Sequence, residues 1–254
     1  PEAYHERVRE LARSAADGAP GTDDEGPKSI HEITTLKEEG LADLLVYDPH
    51  QRLGFVDQFL PADADLDQLR RCQPEELGEF KELPYELLQA AGGTGHVALR
   101  RRAAVAADGA AAVEVTLHKS FDVDDGTLTV SYAIASERPL EGVRFATEIS
   151  LALPCGPHPD ARCVLFAADA TWYETVTSSG VTHEAQRIEL QDPHSGLTIA
   201  LLPGPAATVA RFPLETASQS ESGIERTYQG TTIVLSWPLT TELNQRASVR
   251  LQLL

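Results

Sequence analysis

The sequence predicts a mainly all-β protein, a large antiparallel β-sandwich preceded by short helices. Three features predict it. From about Gly95 onward apolar residues recur with period two, turn signals divide those runs at roughly even spacing, and no internal repeat accompanies them. Successive side chains of a strand point to opposite faces, so period two marks strands with one buried face. Many short strands without an interleaved helical pattern suggest a sandwich or barrel rather than a βαβ sheet, and the lack of a repeat argues against a propeller or solenoid. A chain of 254 residues is long enough to form such a domain as one unit.

Taken in order, residues 1–16 read as a helix, because Tyr4, Val8, Leu11 and Ala15 recur at helical spacing. Residues 17–27, rich in Gly, Pro and Asp, read as a loop or linker. A second short helix is expected over 30–39, with Gly40 where a C-cap glycine would sit. The chain thus divides into a helical connector and linker, 1–26, and a sandwich domain, 27–254. Residues 61–93 carry Pro61, Pro74 and Pro84 as breakers, and predict a long loop with one or two helical turns between Asp65 and Phe80. Strands follow. Val113, Val115 and Leu117 alternate with polar neighbours, as do Leu128, Val130, Tyr132 and Ile134, and Val143, Phe145, Ile149, Leu151 and Leu153 continue the pattern. Later runs cover 163–166, 187–190, 197–202, 208–212, 231–237 and 248–253. Turns are signalled by Asp124-Asp125-Gly126, Glu137-Arg138-Pro139, Asp192-Pro193 and Pro203-Gly204-Pro205.

Composition excludes more than it assigns. A net charge of −18 argues against nucleic acid or an anionic membrane as partner, since phosphate contacts need basic patches. Four lysines stand against seventeen arginines, a usage that fits a high-salt or GC-rich source as well as plain solubility. No run approaches the ~18 apolar residues of a membrane helix, and Pro1 to Arg9 are too polar for a signal peptide. A start at Pro1 without methionine leads to the expectation that the true N-terminus lies elsewhere. Cys72, Cys155 and Cys163 are odd in number and show no framework spacing, which predicts a reducing, cytoplasmic setting without a disulfide. No Cys/His spacing resembles a structural zinc site, and neither metal nor cofactor is expected.

The candidate residues each admit two readings. Glu215, Glu221 and Glu225 form a tight acidic cluster interleaved with Ser218, Ser220, Tyr228 and Gln229. Such a loop could hydrogen-bond sugar hydroxyls or meet a neighbouring domain; equally, its acids could cap turns while Tyr228 anchors a strand. Arg52 and Asp57 could form an ion pair holding the first strands, with Tyr47 and Phe59 in the core, or could face a partner domain. Trp172 and Tyr173 could be exposed platforms on which a ligand ring stacks, whereas Trp237, inside an apolar strand, reads as core. A His acid with a carboxylate base would suit a free-standing sugar mutarotase. His118 or His183 could then pair with Glu148, although a strand histidine and a solvated one explain them better; His158 and His194, in Pro-flanked turns, read as solvated. The glycines at 92–95 lack the Lys-Ser/Thr of a phosphate loop, and no Gly-x-Ser-x-Gly elbow is present.

Two stretches carry a family resemblance. One is Tyr47-Asp48-Pro49-His50-Gln51-Arg52-Leu53-Gly54-Phe55-Val56-Asp57-Gln58-Phe59-Leu60; the other, more specific, is Pro213-Leu214-Glu215-Thr216-Ala217-Ser218-Gln219-Ser220-Glu221-Ser222-Gly223-Ile224-Glu225-Arg226-Thr227-Tyr228-Gln229-Gly230. Leu77-Gly78-Glu79-Phe80, Lys119-Ser120-Phe121 and Phe145-Ala146-Thr147-Glu148 add weaker matches. Together they resemble the C-terminal region of family 57 glycoside hydrolases, the α-amylase and 4-α-glucanotransferase type. The resemblance implies a galactose-mutarotase-like supersandwich that follows a catalytic (β/α) barrel, with residues 1–26 as tail or connector from that barrel. It implies that the nucleophilic Glu and acid/base Asp reside on the barrel, so that no catalytic residue is expected in this chain. The implied partners are the barrel and an α-glucan or maltooligosaccharide. Gln58 stands where a His is common and Ile224 where an aromatic is common, which weakens direct sugar contact at those two points. An independent carbohydrate-binding module and a stand-alone sugar mutarotase or epimerase are the alternatives.

Overall fold

Val113, Val115 and Leu117 are buried while Glu114 and His118, on the alternate positions, are exposed, so the period-two pattern becomes a strand with one face in the core. The computed structural model describes residues 3–16, 38–73, 76–90, 95–106, 110–154, 156–220 and 223–254, without the side chains of 3 and 14–16. Its helices are α1 (Ala3–Ala16) and α2 (Leu66–Arg70), with a 3-10 turn at Leu41–Leu44. Its strands are β1 (Gly54–Pro61), β2 (Glu86–Ala90), β3 (His96–Val105), β4 (Val113–Asp124), β5 (Thr127–Ser136), β6 (Val143–Leu151), β7 (Arg162–Ala167), β8 (Ala170–Thr175), β9 (Gly180–Asp192), β10 (Leu197–Gly204), β11 (Ala207–Ser220), β12 (Gly223–Pro238) and β13 (Asn244–Leu253). No described helix is long and apolar enough to cross a membrane.

All the strand pairings are antiparallel, in the order β1-β6-β12-β11-β9-β10-β13-β5-β4-β3-β2, with β7 joining β9 and β8 joining β7. Strand β9 links the two halves. Its first half, from Gly180 to Ala185, pairs with β11, and its second half lies between β10 and β7. The sheet thereby folds over, and its halves face each other across one core that includes Phe59, Phe145, Ile233 and Trp237 from one side and Val115, Leu117, Val130, Tyr132 and Val249 from the other. Tyr132 meets Phe145 edge-on at 4.9 Å, and Phe145 stacks on Trp237 at 6.1 Å. Offset and edge-to-face ring pairs of this kind add about 0.5–1.5 kcal/mol each beyond their buried area. The outer face of β1, β6, β12 and β11 is also covered: Leu60, Ala146, Phe212 and Val234 pack under Leu66 and Leu69 of α2.

Several expectations are corrected. Residues 61–93 are not one loop, because Glu86–Ala90 adds an edge strand to β3. The helical turn expected there is α2, started by a capping box in which Asp65 accepts from the Gln68 amide and Gln68 accepts from the Asp65 amide. The segment 215–230 is not a loop either. It is the far end of a long β11–β12 hairpin whose last described pair is Ser220 with Gly223. Its apolar residues do not alternate toward the main core because Ala217 and Ile224 pack instead against Val8 of α1 and Leu41. Tyr47, expected in the core, is 45% exposed, whereas Phe59 is fully buried. The helix expected over 30–39 falls largely outside the described residues. Gly40 is in the left-handed region at φ 76, but it precedes the 3-10 turn rather than ending a described helix. Cys155 also lies outside the described residues, and Cys163 is a buried free thiol.

Candidate functional site

Strands β1 and β6 set two polar centres back to back. Their register places Asp57 opposite Thr147 and Val56 opposite Glu148, so Asp57 points into the sandwich while Glu148 points under the outer cover. Inside, Asp57 accepts from Lys119 Nζ (2.8 Å), Tyr85 OH (2.8 Å) and Thr147 Oγ1 (3.3 Å), and Tyr132 OH donates to Thr147 (2.9 Å). Lys119 also donates to the Phe55 carbonyl and lies over the Tyr85, Phe121 and Tyr132 rings. Burial pushes the Asp57 carboxyl up, against the pull of Lys119, and burial beside Asp57 holds both tyrosine hydroxyls well above their usual range. Asp57 therefore pairs with Lys119, not with Arg52 as expected. Lys119 sits in phase with Val113, Val115 and Leu117, which is the signal that could have revealed it.

On the outer side Arg52 is the hub. Its guanidinium meets Glu148 at 3.2 Å and Asp48 at 2.9 Å, donates to the Arg70 carbonyl at 2.8 Å and to Cys72 Sγ at 3.0 Å, and lies 5.2 Å over the Phe212 ring. Burial works against the Arg52 charge, but the Asp48 bond and the Glu148 charge outweigh it and hold the group above its usual value. The Cys72 thiol accepts from Arg52 and donates to Asp48 at 3.4 Å, and burial is the chief cause pushing it up to about 11. His50 Nε2 lies 3.6 Å from Glu148 Oε1, and among the described residues neither ring nitrogen nor that oxygen has a hydrogen-bond partner. Glu148 thus has a histidine neighbour, but it is neither of those weighed from sequence. His118 is exposed, and His183 is exposed and bonded to Thr208 at 3.3 Å. A cavity of about 680 Å³ opens beside His50 and Cys72, lined further by Gln73, Glu76, Lys81 and Glu82.

The two stretches singled out in the sequence meet here. Asp48 and Arg52 share a small cavity with Phe212, Pro213, Leu214 and Glu215. Beyond it, Arg226 bonds Glu215 at 2.6 Å and Glu38 at 3.3 Å, tying the segment before β1 to the hairpin. Helix α1 docks on the same hairpin: Tyr4 OH donates to the Ala217 carbonyl at 3.0 Å, and Val8 is fully buried with Leu41, Ala217 and Ile224. Among the other candidates, Ser218 bonds Thr227, Ser220 donates to the Gly223 carbonyl (3.1 Å), Tyr228 bonds Thr231 (2.6 Å), and Gln229 reaches Thr216 (3.5 Å). Glu225 is half-buried on the same hairpin, and Glu221 lies outside the described residues. Gln58 and Ile224, the two departures from the family pattern, are both buried. Trp172 and Tyr173 lie apart from this face, 41% and 72% exposed on β8, while Trp237 is core.

A family model described as Alpha-amylase/4-alpha-glucanotransferase, C-terminal, matches residues 1–251. The chain belongs to this family. It is 27% identical over 220 residues to a 4-alpha-glucanotransferase of Thermococcus litoralis, covering 87% of this chain and 29% of that protein. An alpha-amylase 1 of Dictyoglomus thermophilum is 30% identical over 241 residues, covering 92% of this chain and 31% of that protein. The chain therefore spans about three-tenths of the length of the relatives it matches. The crystal structure of the Thermococcus litoralis 4-alpha-glucanotransferase superposes with a TM-score of 0.66 at 24% identity, over 85% of this chain and 29% of that one. In this alpha-amylase/4-alpha-glucanotransferase C-terminal domain two buried charge pairs join layers. Lys119–Asp57 bridges the two halves of the sandwich, and Arg52 binds the covering segment to β6.

Proposed function

We propose that this chain is the non-catalytic C-terminal domain of an α-glucan-acting glycoside hydrolase or 4-α-glucanotransferase of family 57, supporting a catalytic barrel that supplies the reacting carboxylates. The observation that carries this reading is coverage: nearly the whole chain aligns to only 29–31% of each relative quoted, and the larger part of those enzymes has no counterpart in it. Residues 1–26 are then the connector and linker from the barrel, and 27–254 the sandwich. The barrel-facing surface is assigned to α1, the turn after Gly40 and the β11–β12 hairpin. The anchoring of α1 on the hairpin supports that choice, and the hairpin brings Glu215, Ser218, Ser220, Glu225, Tyr228 and Gln229 to the same region, with Glu221 in the same stretch of sequence. Arg52 lies beside that face at Leu214 and Glu215, while Asp57 ties β1 to Lys119 inside the sandwich. A cytoplasmic setting fits the free thiols of Cys72 and Cys163.

Glu225→Gln tests the face, since it removes a charge while nearly keeping shape. In the chain alone, stability is expected to change by no more than the ~0.5 kcal/mol typical of surface substitutions. Joined to its barrel, the same variant is expected to lose glucan turnover or domain association, at a cost of ~1–3 kcal/mol for a weakened buried acceptor. A badly destabilised isolated chain, with unchanged turnover per folded molecule of the joined enzyme, would make the hairpin mere scaffolding. The exposure of Trp172 and Tyr173 favours a second contribution, direct contact of β8 with an α-glucan.

A further inference from the structure

The end of the β7–β9 ribbon brings together three side chains from two turns that lie far apart in the sequence. His158 and Asp160 stand in the turn before β7, and His194 stands in the turn after β9. The register pairs Arg162 with Gln191, so both turns fall at the same end of the ribbon. Each of the three offers one ligand atom, and these atoms all lie within 4.8 Å of one another. The two imidazoles meet edge to face, with centroids 4.0 Å apart and planes at 78°. His158 Nδ1 is 3.7 Å from Asp160 Oδ2. Around a tetrahedral zinc ion with bonds of ~2.0–2.2 Å, neighbouring ligand atoms are ~3.3–3.6 Å apart, so little movement closes this pair on a metal.

Both turns are braced from within. Asp192 Oδ1 accepts from the His194 amide (2.9 Å) and the Ser195 amide (3.2 Å), and the Ala161 amide donates to the His158 carbonyl (3.0 Å). The Arg162 guanidinium binds the Pro159 and Ala161 carbonyls. Prolines 157, 159 and 193 restrict φ on either side of the histidines. The Asp160 amide donates to His158 Nδ1 at 3.2 Å, a bond that a metal at that nitrogen would replace. Two imidazoles and one carboxylate are the donor set of a borderline divalent ion such as zinc; calcium and magnesium prefer oxygen ligands throughout. The first turn also adjoins the hairpin, since Gly156, at φ 58, has open contact with the Tyr228 ring, 3.9 Å from where a Cβ would stand.

We propose that His158, Asp160 and His194 form a zinc-class metal site, completed by water, that clips these two turns together beside Tyr228. The spacing along the chain shows no zinc motif because the ligands come from two different turns, and only the strand pairing unites them. The test is calorimetric titration of the chelator-treated chain with ZnCl2, with CaCl2 as the contrasting ion, together with thermal melting. Binding of one equivalent of Zn²⁺ with a raised Tm, no comparable response to Ca²⁺, and affinity weakened at least about tenfold in His194→Ala and in Asp160→Asn are expected. Bound Co²⁺ should show the visible absorption of a tetrahedral site. Absence of stoichiometric Zn²⁺ binding, an equal response to Ca²⁺, or unchanged affinity in folded His158→Ala and His194→Ala would overturn the proposal. Asp160→Asn, which leaves the turn backbone and both rings in place, keeps the test valid if a histidine variant fails to fold.

Discussion

Lys119 occupies an inward position of β4, where an amine with no partner would cost several kcal/mol, and four groups from other elements answer it: the Phe55 carbonyl, Asp57 and the rings of Tyr85 and Tyr132. That a charge lay in phase with Leu117 was legible in the sequence; which acid would meet it was not. Asp57 and Arg52 are five residues apart and of opposite sign, yet the strand pleat and the bend into β1 send them to different faces of the sheet. His50 gave no sequence signal at all, because its burial depends on the cover formed by α2 and the following turn. Glu76, beside it in the larger cavity, yields a pH prediction. Burial pushes its carboxyl up to about 7 from 4.5, against the pull of the Lys81 and Phe80 amides that it accepts. The folded chain then retains a proton that the unfolded chain has released. Its stabilising share is complete below about 4.5 and is lost as pH rises through about 7. Denaturation midpoints of Glu76→Gln should therefore improve relative to wild type across that window and level off above it; a difference independent of pH would place Glu76 in water.

Elements whose pattern is set by the main core were readable, and those set by a local cover were not. Strands β4 and β5 bury alternate residues against one core, and β6 keeps the same apolar period at Val143, Phe145 and Ile149 although its outer face is covered too. Helix α1 was readable from Tyr4, Val8 and Leu11, all of which pack in one small cluster. The outer end of the β11–β12 hairpin looked like a hydroxyl-rich loop because its inward partners are α1 and the Leu41–Leu44 turn. There, cross-strand hydroxyl pairs such as Ser218–Thr227 do the work of apolar contacts. Strand β2 was missed for a related reason: all five of its residues are exposed, so no alternation marks it. Strand β8 is an edge of the same open kind, and it carries Trp172 and Tyr173 on successive residues. Their side chains point to opposite faces, so they offer two single platforms rather than one double one. A maltooligosaccharide should quench Trp172 fluorescence with a Kd that Trp172→Ala weakens, since ring stacking contributes on the order of 1 kcal/mol. Equal binding by the variant would remove β8 from the glucan-contacting surface.

At the scale of the molecule, the fold class followed from periodicity alone, whereas the hand-over at β9, where one strand serves both halves of the sandwich, left no mark in the sequence. The convergence of Asp48 and Arg52 with Leu214 and Glu215 was not readable either, since some 160 residues separate them; only the likeness of both stretches to one family connected them. Of the charged groups withdrawn from water, two pairs join layers, Asp57 with Lys119 and Arg52 with Glu148, while Asp192 braces its own turn and Glu189 and Arg211 are buried on β9 and β11. Breaking such a pair from one side costs ~3–5 kcal/mol, which is how a structural polar centre behaves. A retaining glycosidase instead needs two carboxyl groups ~5–5.5 Å apart on either side of a bound sugar. Glucan turnover by the 254-residue chain alone, measured with amylose and maltooligosaccharides for both hydrolysis and transfer, is the most direct test. No turnover above buffer is predicted, with activity appearing only when the chain is joined to a catalytic barrel; turnover by the isolated chain that Glu148→Gln or Glu76→Gln abolishes would contradict that prediction.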